Sequence, residues 1–171
     1  MIGLMAVVLA VSTITPVACP DGRSADSTVT ALYDLISVPA GGTWDWDRID
    51  SLFIDQGVFV TMMPRDGKAL MAKTDLLTLR SQTQAAYGRS GFIEREYKQE
   101  VRTFGDIASV YSSFYIALPQ HAERPLARGL HHFQLVKAQD CWRIVSNISQ
   151  MEGASWQLPA AFVPDTGSQE R

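Results

Sequence analysis

Between residues 127 and 151 apolar and polar positions alternate in two runs, 130–136 and 142–148, flanking the polar link Lys137-Ala138-Gln139-Asp140. Alternation, β-branched and aromatic content and a short polar break predict a β-hairpin. Side chains alternate across a strand, so His131, Phe133 and Leu135 share one face and Leu130, His132, Gln134 and Val136 the other. Neither face is purely polar, which places this hairpin inside a sheet covered on both sides.

Upstream, the spacing changes to that of helices. Val29, Leu32, Tyr33 and Ile36 fall on one face of a helix over 24–37, which Ser24, Asp26 or Ser27 can cap. Pro39-Ala40-Gly41-Gly42 stops it. Trp44-Asp45-Trp46-Asp47 opens a second helix to about residue 54, with Asp45 and Asp47 read as cap and dipole partners rather than as a catalytic pair. A strand over 57–63 and a turn over 64–67 follow. Leu76, Leu77, Leu79, Thr83 and Tyr87 then predict a third helix over 73–87, closed by Gly88 and Gly91.

Residues 92–103 alternate as a long strand, with Glu94, Glu96, Lys98, Glu100 and Arg102 on one face. That charged row reads as a solvated face with cross-strand pairs. A turn at Phe104-Gly105-Asp106 leads to a return strand over 107–118, and the polar loop 119–125 leads to the hairpin. Helices gathered on one side of such a sheet predict an α+β fold, with three N-terminal helices packed on a curved, mostly antiparallel sheet.

At 171 residues and 46% hydrophobic, the chain is long enough for one domain with a real core. A formal net charge of −3 with no dense Lys/Arg run leaves no footprint for nucleic acid. Residues 1–11 are almost wholly apolar and uncharged, and a more polar run ends at Val17-Ala18-Cys19. This predicts a leader over 1–22, a signal peptide or a lipoprotein-type segment, ahead of a domain at 23–164 and a frayed tail at 165–171. The protein is then expected to be exported, periplasmic or secreted, and cytoplasmic if the leader is not processed. A membrane enters only if Cys19 is lipidated. Cys19 and Cys141 can pair in an oxidising compartment, although nothing in the sequence brings them together.

Four stretches, ALYDLISVPAGGTWDWDRIDSLF, GFIEREYKQEVRTFGDIASVYSSF, ARGLHHFQLV and CWRIVSN, carry a resemblance. Residues 29–164 resemble the NTF2-like superfamily, whose members include SnoaL-type cyclases, ketosteroid isomerase and scytalone dehydratase. They resemble most a group of bacterial members without an assigned activity. The resemblance implies a cone-shaped α+β fold whose pocket serves enzymes in some members and plain binding or assembly in others. Where the isomerase has its aspartate base, near the end of the first strand, this chain has Thr61 or Met62, and neither can take a carbon-bound proton. Of the isomerase's oxyanion pair, Tyr33 matches the tyrosine and His131 falls where the acid stands. Trp46-Asp47-Arg48-Ile49 resembles the start of the dehydratase's second helix, but its Tyr-Asp pair has no match.

The candidates that remain are Tyr33 and His131 as acid–base or hydrogen-bonding groups. Met62, Phe133 and Trp142 are the expected apolar wall of a pocket that also includes those two. The expected function is binding of a small apolar ligand, with a lyase or isomerase or a non-catalytic interaction module as alternatives. A homodimer through the outer sheet face is the expected assembly. No cofactor is implied. His131 and His132 face opposite ways and His121 lies in a loop, so no metal site is expected either.

Overall fold

The computed structural model describes residues 19–66 and 68–163, the side chain of Gln56 apart; residues 1–18 of the expected leader and the expected tail at 165–171 lie outside them. The first helix, α1 (Ala25–Ile36), has Ser24 as its N-cap: Ser24 Oγ accepts from Ser27 N at 3.4 Å, and Ser27 Oγ accepts from Ser24 N at 3.0 Å. These reciprocal bonds satisfy amides that a helix start leaves open. Val29, Leu32 and Tyr33 are buried on the face the spacing predicts. After Ser37 the chain is extended, and Val38 exchanges two backbone hydrogen bonds with Phe92, at 2.8 and 3.0 Å. Gly91 sits beside that crossing at φ +73°, where a Cβ would lie 2.5 Å from a Pro39 backbone carbon. Only glycine fits both the conformation and the approach.

The second helix, α2 (Trp46–Ser51), is capped by Asp45, whose carboxylate accepts from Arg48 N at 3.1 Å. It ends earlier than the sequence predicts, because β1 (Phe53–Arg65) begins at Phe53. A strand not foreseen in the sequence, β2 (Lys68–Asp75), returns antiparallel to β1. Nearly all its side chains are exposed, so no hydrophobic alternation marks it. The third helix, α3 (Leu76–Tyr87), therefore starts at Leu76 rather than residue 73. Asp75, extended and accepting from Thr78 N at 2.7 Å, ends the strand and caps the helix. That amide bond holds the Asp75 carboxyl below its ordinary range. The expectation of three N-terminal helices is corrected here: α3 follows the β1–β2 hairpin.

Four long strands complete the sheet: β3 (Ile93–Phe104), β4 (Ile107–Ala117), β5 (Ala127–Ala138) and β6 (Cys141–Met151). The six run in the order β2-β1-β6-β5-β4-β3, antiparallel throughout except for the parallel pair of β1 and β6. The fold is α+β with a mixed sheet. In the hairpin of β5 and β6 the link shortens to Gln139 and Asp140, at φ 53° and 64°, the two positive angles a tight hairpin turn needs. Register shifts between Glu96 and Lys98 and between Gln134 and Leu135 bend the strands. On the inner face, α1 lies against β3, β4 and β6, and the core contains Val29, Leu32, Val110, Phe114, Phe133 and Ile144.

Cys19 and Cys141, which the sequence leaves unjoined, form a disulfide, with Cα atoms 5.6 Å apart. Beside it, Trp142 N donates to Gly22 O at 2.9 Å and Arg48 grips the Asp21 carboxylate at 2.8 Å. Residues 19–22, assigned to the leader from sequence, are thus fastened to the body.

Candidate functional site

The shift in β3 decides what the cavity contains. Strict alternation puts Glu94, Glu96, Lys98, Glu100 and Arg102 on one face, but the extra residue at Tyr97 reverses the phase. Glu94 and Glu96 turn to the inner face with Gln99 and Val101, which stand opposite Ser112 and Val110. The solvated-face reading is therefore corrected for the two glutamates: Glu94 is buried, and Glu96 bonds to the fully buried Ser112.

Between α1, α2, α3 and the inner sheet face lies a cavity of about 200 Å³. Tyr33, His131 and Phe133 line it, as do Glu94, Asn147 and Ser149. Met62 and Trp142 do not. Met62 belongs to the other side of β1 from Thr61, which does reach the cavity. Trp142 is buried at the opposite end of the hairpin, beside Cys19 and Gly22. The alternation of β1 is readable in the sequence; which of its faces looks inward is not.

The polar groups form a row across the sheet. Ser112, His131, Ser149 and Thr61 are successive register partners on β4, β5, β6 and β1. His131 Nε2 is 2.7 Å from Glu94 Oε1, and the two side chains are only 9% and 11% exposed. At the other end of the ring, Nδ1 is 2.7 Å from Ser149 Oγ and 3.0 Å from Asn147 Nδ2. A carboxylate oxygen accepts, so Nε2 is the donor toward Glu94, while Nδ1 lies between the Ser149 hydroxyl and the Asn147 amide. Phe114 stacks on the imidazole with centroids 3.9 Å apart and planes 12° off parallel. Gly129, the register partner of Phe114, makes room for that ring, since a Cβ there would come within 2.8 Å of it.

Tyr33 and His131 do not bond to each other; their centroids are 6.1 Å apart. The Tyr33 hydroxyl is 2.8 Å from Ser112 Oγ, which donates in turn to Glu96 Oε1 at 2.5 Å. Burial, and after it the charge of Glu94, push the Tyr33 phenol well above its ordinary 10.0. It stays protonated at neutral pH and donates to Ser112 Oγ.

Burial also raises Glu96 above the ordinary 4.5. The folded protein then holds this proton more firmly than the unfolded chain does. Stability is favoured below 4.5 and declines as pH rises toward the folded value. Glu96→Gln, which cannot ionise, is expected to flatten that decline in urea unfolding between about pH 4 and 8. An unchanged pH profile would remove Glu96 as its source.

Glu94 is the residue that reasoning from sequence missed. Its signal was the break in alternation near Tyr97, which shows only once β3 is paired with β4. Among the described residues no three His, Cys, Asp or Glu side chains gather closely enough to hold a metal ion.

No protein-family model matches the sequence, and no curated protein does. Solved structures do match in shape. An NTF2-like protein with a cystatin-like fold from Novosphingobium aromaticivorans aligns at TM-score 0.54 and 14% identity, over 80% of this chain and 85% of its own. A candidate dehydratase from the NTF2-like family of Streptomyces avermitilis aligns at 0.53 and 18%, over 74% and 92%. The beta subunit of a candidate aromatic-ring-hydroxylating dioxygenase, also from N. aromaticivorans, aligns at 0.54 and 14%, over 75% and 86%. Identities this low speak for the fold alone. With the element order and the six-stranded mixed sheet, they establish that this chain has the NTF2-like fold.

Proposed function

We propose that the protein binds one small, mostly apolar molecule in the cavity and holds it by its polar end. The observation that carries this is the make-up of the cavity lining: Glu94, His131, Asn147 and Ser149 are clustered by their hydrogen bonds, and the rest is mostly aromatic and aliphatic, with Thr61, Thr74 and Thr83 among it. Specific small-molecule sites share that division of apolar walls and a few convergent polar groups. An apolar cavity of roughly 150 Å³ takes up benzene, so this one suits a single ring with a short substituent. Titration with benzyl alcohol, followed by tryptophan fluorescence through Trp44 and Trp46 at the cavity wall, is expected to saturate at one molecule per chain. Thr61→Phe, which fills the cavity from β1, is expected to abolish the signal while the folded circular-dichroism spectrum is kept. Saturation that survives the filling variant would place the ligand elsewhere.

Acid–base chemistry on such a ligand is the second reading, favoured by one observation. Glu94 supplies the base that is absent at Thr61 and Met62, and the Tyr33 phenol lines the same space, where a ligand oxygen would have to take its proton from Ser112 Oγ. One carboxylate to take a carbon-bound proton and one phenol to polarise a carbonyl are the minimum for a lyase or isomerase. The check is deuterium uptake at the carbon next to the carbonyl of a small cyclic ketone, followed by NMR in heavy water. Uptake above the buffer rate that disappears in Glu94→Gln supports the enzyme; uptake at the buffer rate leaves only binding.

A further inference from the structure

The polar end of the cavity carries a carboxyl group, that of Glu94. Glu94 Oε1 is taken by His131, while Oε2 has no hydrogen-bond partner among the described residues. Among the described residues no Lys or Arg lines the cavity. Asn147 is 7% exposed, and its Oδ1 is buried without a partner among the described residues. The polar end therefore offers the cavity one open carboxylate oxygen, Glu94 Oε2. A buried acceptor left unmet is costly.

The walls have a matching preference. Trp44, Trp46, Phe59, Phe92 and Phe133 surround the space, and the faces of such rings attract a cation. Arg80 already lies over the Trp46 ring, 5.3 Å from its centroid.

Resting on the reading that the cavity holds a small molecule, we propose that its ligand is a compact organic cation, a protonated amine on one ring or a short alkyl body. Its ammonium donates to Glu94 Oε2, and its apolar body packs among the aromatic rings. A carboxylic acid of the same shape would set its charge against Glu94 and is excluded.

Three probes of one shape separate the cases: benzylamine, benzyl alcohol and benzoate, titrated calorimetrically into the full chain at pH 7 and constant ionic strength. Benzylamine, cationic at that pH, is expected to bind at least about tenfold tighter than the alcohol, the factor that 1.4 kcal/mol gives. Benzoate is expected not to bind. In Glu94→Gln the ratio of amine to alcohol affinity is expected to fall toward one. The inference is overturned if the alcohol binds as well as the amine, if benzoate binds, or if the preference survives in Glu94→Gln. Should the variant fail to fold, the three affinities of the unaltered chain still decide. If the alcohol binds and the amine holds no advantage, only the charge assignment falls. If none of the three binds, the small-molecule reading falls with it.

Discussion

Replacing His131 by alanine is expected to destabilise the fold by at least about 1–3 kcal/mol, the cost of leaving a buried hydrogen-bonding group without its partner. The sequence presents His131 as an acid–base or hydrogen-bonding group of the pocket. The structure gives both ring nitrogens to protein groups, Glu94 on one side and Ser149 with Asn147 on the other. Truncation strands the Glu94 carboxylate in apolar surroundings, opens a void beneath Phe114, and leaves the Asn147 amide with no acceptor. The charge is the largest of these costs, and this can be checked separately. His131→Ala combined with Glu94→Gln removes the stranded charge, so the double variant should be more stable than His131→Ala alone by urea unfolding. If the double variant is the weaker of the two, the loss lies in packing and the pair has little electrostatic weight.

Breaking the Cys19–Cys141 disulfide is expected to cost about 2–4 kcal/mol. The two cysteines are 122 positions apart, so the bond closes almost the whole described body into one loop and removes much of the unfolded chain's freedom. Cys141→Ser and reduction with dithiothreitol should lower the unfolding midpoint by the same amount, with little change in the denaturant slope. A midpoint insensitive to reductant would show that the bond does not constrain the unfolded chain. The bond also supports the export reading, since structural disulfides persist in oxidising compartments. A sulfur in a disulfide cannot carry a thioether lipid, so the disulfide and lipidation of Cys19 are mutually exclusive. Mass spectrometry of the protein from its own host separates three outcomes: a chain starting near Cys19 with the bond intact, a lipid-modified Cys19, or an intact Met1 that ends the export reading.

Much of this architecture was legible in the residues alone. Helix α1 and its inward Tyr33 follow from a spacing of three and four residues and a Ser cap, all local to a dozen positions. The hairpin of β5 and β6, with His131, Phe133 and Leu135 on one buried face, follows from strict alternation around a short polar link. Local patterns of this kind carry their own periodicity, so no partner strand is needed to see them.

Other features were decided by pairing across the sheet. Strand β2 buries almost nothing, so its existence rests on hydrogen bonds to β1 rather than on its own side chains. Whether Met62 or Thr61 faces the cavity depends on which side of β1 receives the helices, a choice alternation cannot express. Cys19 reaches Cys141 only because Asp21 and Gly22 are held against α2 and the start of β6. Glu94 is the sharpest case. One extra residue at Tyr97 costs a strand one pairing position and turns every earlier side chain to the opposite face. One member of a charged row that reads as solvated thereby becomes a buried carboxylate at the polar end of the cavity. Sequence periodicity sets the faces of each element; the tertiary structure chooses between them, because that choice belongs to the neighbouring strand.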